Sequence, residues 1–330
     1  MRAKLFPGSA TKPISAFSFS VLKGYDLHSL QAKISAWDYC LALRRLTDNV
    51  FTHLVNDPYQ VFMRIAWFWR FIKSRARLGQ EHGIDRCFPR RPPGFLLVPC
   101  PACPDPGLNM DGEWWRSPLF LSDGNHQINQ FSKNTNPFDQ SLYEGCSYFP
   151  EARRYNEFLH SLGCISAEEC AAACNHIKVI NLQGRLQNQN CALTGGVNTQ
   201  CDHVFVMATS NMQNAYPLFT MNASFHHAYS MLGFDDKKID NHCQDVHHAD
   251  CYDSMCHYYS KKGKRFAQST YLEDQKEFTV EYYWVELNQV GGYTRQMNGG
   301  HREDTIIAHH HDWNWRKTVN MGETSNLFCI

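Results

Sequence analysis

Pro118-Leu119-Phe120-Leu121-Ser122-Asp123-Gly124-Asn125 sets a short apolar run against an acid and a turn-forming Gly-Asn pair. An apolar run bounded by Pro118 and Gly124 reads as a buried strand. A carboxylate at the end of such a strand is held rigidly at a sheet edge, where a divalent cation finds a fixed oxygen ligand. The competing reading is an aspartate that caps its own turn.

The same texture continues on the C-terminal side. From Phe95 onward the chain alternates short apolar runs with turns, and Val204-Phe205-Val206-Met207 reads as a second strand. Between the two, Ser166-Ala167-Glu168-Glu169 forms a capping box that opens a helix to about residue 187, and a further helix is expected over 223–232. Strands mixed with helices in this order imply an α/β domain. The first hundred residues read as mainly helical. Asp57-Pro58 starts a helix whose apolar positions recur at Val61, Ile65, Phe68 and Ile72, and Gly79 stops it. Trp67, Trp69 and Phe71 widen that face, so burial on most sides is expected. Its basic tail of Arg70, Lys73, Arg75 and Arg77 reads either as a solvated helix end or as a phosphate-contacting patch. The Pro-rich stretch 86–94 (RCFPRRPPG) divides a mainly helical region, 1–90, from an α/β core, 91–330.

Composition narrows the chemistry. Thirty-two basic and 32 acidic residues cancel, so no global field draws the 330-residue chain to nucleic acid, and such binding has to come from local patches. Fourteen cysteines without a signal-peptide pattern indicate thiols, metal ligands or small buried side chains rather than disulfides. No apolar run reaches the ~18–20 residues of a membrane span, so a soluble intracellular protein is expected.

Cys100-Pro101-Ala102-Cys103 offers two thiolates at the spacing of a zinc half-site, with Cys201 and His203 as the matching pair and Cys164 as a spare. Free thiols remain the alternative. A thioredoxin-like site would open a helix, whereas Pro104 and Pro106 favour a loop. Cys170 and Cys174 share one face of the 166–187 helix and read as packing residues. The pairs His226-His227 and His247-His248 and the run His309-His310-His311 lie in polar surroundings and read as surface. No H-E-x-x-H spacing supports a zinc hydrolase. Two acids stand beside Asp123 as candidates: Asp253, at the end of a possible strand, and Glu281, ahead of a possible helix. Three carboxylates from distant positions are what a two-metal phosphoryl-transfer site requires.

Residues 2–49, then CPACPDPGLN, LFLSDGN, SLYEGCSYF, LTGGVNTQCDH, CYDSMCHYY, EYYWVELN and GGHREDTIIAHHHDWNWRKT occur in an order that resembles the fungal KDZ (Kyakuja–Dileera–Zisupton) transposases, including the region following their cysteine cluster. The resemblance implies a ribonuclease-H-like mixed sheet with flanking helices, and a DDE site using Mg²⁺ or Mn²⁺ to cut DNA and join it to a target. It implies transposon-end DNA as partner and a nuclear location. By motif, Asp123, Asp253 and Glu281 match the family's three acids, and Cys201 with His203 resembles its "CxRH" element. The departures are several. Glu277, Phe278 and Tyr282 stand where the family has Gly, Glu and Arg, and only 28 residues separate Asp253 from Glu281. With no counterpart to the upstream cysteine cluster, these departures imply a truncated, degenerate copy with weak or no strand transfer. The alternative is a non-catalytic remnant that binds DNA or protein.

Overall fold

A computed structural model of the chain describes residues 4–87, 94–103, 119–133, 136, 139–161, 190–201, 203–212, 227, 249–252 and 283–324. The chain divides into two compact units, Met1–His82 and Gly83–Ile330.

The first unit pairs β1 (Leu5–Pro7) with β2 (Ala16–Ser18) and follows them with α1 (Phe19–Ala32), α2 (Ala36–Thr47) and α3 (Tyr59–Arg77). Helix starts are capped by side chains: Ser18 Oγ accepts from the Val21 N–H and Ser35 Oγ from the Asp38 N–H, both at 3.2 Å. Leu22, Tyr25, Cys40, Phe62, Ile65 and Ala66 form the core. Two expectations change here. The hairpin was hidden because its strands are only three residues long. Helix α3 begins at Tyr59, whose N–H donates to Asp57 Oδ1, and it is not buried on most sides: Phe68 is 40% and Ile72 45% exposed. A three-helix unit covers only one face of α3. The basic tail is partly accounted for by Asp26, a buried carboxylate that takes Arg70 Nε at 3.1 Å and Lys73 Nζ at 2.5 Å.

The second unit contains β3 (Leu119–Asn125), β4 (Gln130–Phe131), α4 (Ala152–Ser161), β5 (Cys191–Leu193), β6 (Gly195–Cys201), β7 (Val206–Met212), β8 (Ala249–Tyr252), α5 (Trp284–Thr294) and α6 (Gly299–Thr324). Four strands form one sheet in the order β7-β6-β3-β8. Strand β6 runs antiparallel to both β7 and β3, while β8 lies parallel to β3 on its other side. Strand β3 is therefore interior, which its apolar start anticipates.

Asp123 is not at the strand terminus. Gly124 and Asn125 continue the ladder opposite Val197 and Gly196 instead of turning. The close approach is possible because Gly195 and Gly196 lack side chains: a Cβ on Gly195 would lie 2.3 Å from the Asn125 carbonyl oxygen. The chain turns one step later, where Asn125 Oδ1 accepts from the Gln127 N–H.

Helix α6 runs across the face of the sheet that carries Asp123. Arg302, Ile306, His310 and Asn314, four apart, are all fully buried, and His309 and His311 are buried beside them. The His309–His311 run is thus interior rather than surface. Each imidazole has a polar partner, respectively Tyr293 Oη at 2.8 Å, Tyr283 Oη at 2.6 Å and the Leu96 carbonyl at 2.7 Å. His227 is likewise buried against the Ser147 carbonyl. Apart from that residue, the expected helices over 166–187 and 223–232 lie outside the described residues, as do His226, His247 and His248. Among the described residues, no helix is long and apolar enough to cross a membrane.

Candidate metal centre

Cys100 ends a segment without regular secondary structure, and Cys103 follows the turn at 101–102. Cys201 is the last residue of β6. The hairpin beyond it is tight: the Val204 N–H donates to the Cys201 carbonyl at 2.7 Å, and the Cys201 N–H to Phe205 O at 3.0 Å. This turn brings His203 back over the two N-terminal thiols. The ligand atoms of Cys100, Cys103, Cys201 and His203 all lie within 4.8 Å of one another, and Cys103 Sγ stands 3.8 Å from His203 Nδ1. The three thiols are buried, at 6%, 4% and 0% exposure, while His203 is exposed.

The packed thiols shift one another's ionisation in opposite directions. Hydrogen bonds from Cys103, then Cys201 and His203, push the Cys100 thiol down. The hydrogen bond with Cys100 pushes Cys103 up, and burial pushes Cys201 up. Three packed thiols cannot all ionise unless a positive ion compensates them. Three sulfurs and one imidazole nitrogen are a closed structural zinc set, whose ligand atoms stand ~3.8 Å apart around a tetrahedral ion. The residues fit such an ion.

Of the three candidate acids, Asp123 lies among the described residues. Asp123 is half-buried on β3, and its Oδ1 accepts from the Gly124 N–H at 2.7 Å. Its partner across the ladder is Asn198, whose partner on β7 is Thr209, so the three share one face. From there the polar row leaves the sheet. Asn198 Nδ2 donates to Thr209 Oγ1 at 2.9 Å, Thr209 Oγ1 bonds His310 Nε2 at 2.9 Å, and His310 Nδ1 meets Tyr283 Oη at 2.6 Å. Burial pushes His310 well below the ordinary histidine value, which keeps it neutral. Among the described residues Asn198 Oδ1 is buried without a hydrogen-bond partner.

Asp253 and Glu281 lie outside the described residues, as do Cys164, Cys170 and Cys174. Strand β8 is described up to Tyr252, and the chain resumes at Tyr283. Sequence reasoning overlooked Asn198, His310 and Asn314. The first gave no signal beyond a polar residue in a strand. The other two lie in the His309–His311 run, which is buried throughout, and in the DWNWRK tail, where Asn314 is fully buried between partly exposed neighbours; this burial shows only once α6 is on the sheet.

The comparisons bear on the first unit. Residues 1–51 match the family model described as "CxC2 like cysteine cluster associated with KDZ transposases". No curated protein and no solved structure matches the chain. The stretch read as following a cysteine cluster is thus similar to the cluster model itself. It contains a single cysteine, Cys40. That thiol is buried in the core, and burial, with a smaller contribution from Asp57, pushes it up to about 12, so it behaves as an apolar side chain. The Cys/His group lies in the other unit, outside the matched residues.

Proposed function

We propose that the chain is a KDZ-type transposase-like protein: a DNA-binding ribonuclease-H-like core, braced by structural zinc, that keeps the frame of a two-metal strand-transfer site with little or no strand-transfer activity. The observation that carries this reading is the parallel register of β3 and β8. It runs from Leu119 opposite Ala249 to Ser122 opposite Tyr252, and Asp123 and Asp253 are the next residues of the two chains. Parallel neighbours lie about 4.8 Å apart with side chains on one face, within reach of a shared divalent ion. The mixed sheet, an antiparallel meander on one side of the first strand and a parallel strand on the other, supports the ribonuclease-H-like reading. So does the polar row from Asn198 to Tyr283, since Glu281 stands two residues before Tyr283. The match over residues 1–51 supports the transposase relationship independently.

In this reading Asp123, Asp253 and Glu281 would hold Mg²⁺ or Mn²⁺, which supplies the electrostatic stabilisation of phosphoryl transfer. Zinc at Cys100, Cys103, Cys201 and His203 is fully occupied by protein ligands and acts as a brace between the 94–103 segment and the β6–β7 turn. Weak activity follows from the surroundings of Glu281, where Glu277, Phe278 and Tyr282 replace the family's Gly, Glu and Arg. A ligand displaced by about 1 Å costs on the order of a hundredfold in rate. The test incubates the purified protein and its Asp123→Asn variant with terminal-repeat DNA and Mg²⁺ or Mn²⁺. Retarded DNA with little joined product is expected. Efficient joining that disappears in the variant would show an active transposase, and failure to retain the DNA at all would sink the reading.

A further inference from the structure

The DWNWRK tail of the chain lies on α6, next to the metal centre, with no role yet in the chemistry. Its most buried polar member is Asn314, at 0% exposure. The Asn314 amide donates to the Val98 carbonyl at 2.9 Å and to the Val206 carbonyl at 2.8 Å, and lies 3.2 Å from Tyr148 Oη. Its Oδ1 accepts from the Val206 N–H at 2.9 Å. Val98 is two residues before Cys100, and Val206 three after His203. One carboxamide thus satisfies the backbone of both segments that carry the thiols and the imidazole.

The same helix grips the turn between them. Trp313 Nε1 donates to the Val204 carbonyl at 2.9 Å, and Lys317 Nζ to the His203 carbonyl at 3.3 Å. Lys317 is held over the Trp313 ring, 5.4 Å from its centre. The turn needs holding, because Val204 has φ +61°, a left-handed conformation that a β-branched residue rarely adopts. Such a conformation persists only where its surroundings impose it. Here the imposed conformation is what returns His203 toward Cys103.

We infer that Asn314 and Trp313 are positioning residues for the metal: α6 aligns the two ligand-bearing segments, so that zinc is bound tightly only while this helix is docked. The inference rests on the zinc reading above. Outer contacts of this kind are worth about 10–100-fold in metal affinity.

The experiment loads the full chain with zinc and follows equilibrium binding and release to a chromophoric chelator. Cys201→Ser tests the zinc reading itself and is expected to abolish stoichiometric binding. Asn314→Ala is expected to weaken binding about 10–100-fold. Trp313→Phe, which keeps a ring and deletes one N–H bond, is expected to weaken it severalfold and serves also where Asn314→Ala does not fold. Asp304→Asn alters contacts near the start of α6, where Asp304 holds Ser141 Oγ and the Leu142 N–H, and leaves the clamp at 313–317 in place, so it is expected to bind zinc as the parent does. Parental affinity in the two clamp variants, with zinc lost in Cys201→Ser, would overturn the inference and leave the zinc site standing. Equal weakening in Asp304→Asn would overturn it too, since general destabilisation would then explain the effect. A parent that binds no zinc would remove both.

Discussion

Thr209 and His310 share a 2.9 Å hydrogen bond between Oγ1 and Nε2, which fastens the middle of α6 to an outer strand of the sheet. On its other nitrogen His310 meets Tyr283, so a neutral imidazole bridges two buried hydroxyls. Removing it leaves polar groups that water cannot reach. His310→Leu is expected to destabilise the protein by about 2–4 kcal/mol, more than its gain in apolar surface returns. Denaturant unfolding of parent and variant measures the difference, and an unchanged midpoint would contradict it.

The same burial gives stability a pH dependence of definite sign. His310 titrates well below 6.5 when folded, so its contribution is complete above about 6.5 and is lost as pH falls below that value. Glu303 acts oppositely. Burial, only partly offset by Arg302, pushes its carboxyl up from 4.5 to about 7, so its contribution is present below 4.5 and disappears as pH rises through 7. His310→Gln should therefore flatten the acid side of the melting-temperature profile between pH 7 and 5. Glu303→Gln should raise the melting temperature at pH 8 relative to the parent and have little effect at pH 4. Parallel profiles for all three proteins would refute both assignments.

In the first unit the buried acid is Asp26. Burial alone would raise its pKa, but Arg70 and Lys73 more than offset this and hold the carboxyl below its ordinary range. Asp26→Asn leaves two cations without their counter-charge. Arg70 is mostly buried and Lys73 partly hydrated, so a loss of about 3 kcal/mol is expected. Asp26→Asn should also remove the parent's loss of stability below about pH 4 that this carboxylate contributes. Calorimetry across pH would show both.

Gly195 and Gly196 look interchangeable in sequence and are not. A Cβ on Gly195 would meet the Asn125 carbonyl oxygen at 2.3 Å, a backbone obstacle, whereas on Gly196 it would meet the end of the Ile128 side chain at 2.7 Å. Gly195→Ala should cost about 3 kcal/mol and Gly196→Ala roughly 1 kcal/mol, because only Ile128 can change rotamer. Equal costs, read by chemical denaturation, would argue against this pairing of β3 with β6.

What was legible in the sequence had local causes. The apolar run before Asp123 specifies a strand by itself, and Cys100-x-x-Cys103 with Cys201 and His203 has a spacing that a single metal accepts. The C-terminal helix was not legible as a buried element. His309, His310 and His311 look like surface residues in any short window, and their partners Tyr293, Tyr283 and Leu96 lie as much as 215 positions away. Asn314 hides for the same reason, since its carboxamide pairs with backbone at Val98 and Val206. The turn at Val204 ran against local expectation, because a β-branched residue reads as strand and here takes φ +61°.

The most direct measurement is a crystal structure of the full chain soaked in Mn²⁺, with anomalous differences collected for the parent and for Asp123→Asn. The register of β3 and β8 predicts a manganese peak shared by the carboxylates of Asp123 and Asp253, lost in the variant. Carboxylates about 10 Å or more apart, or manganese bound identically in both proteins, would contradict the two-metal frame.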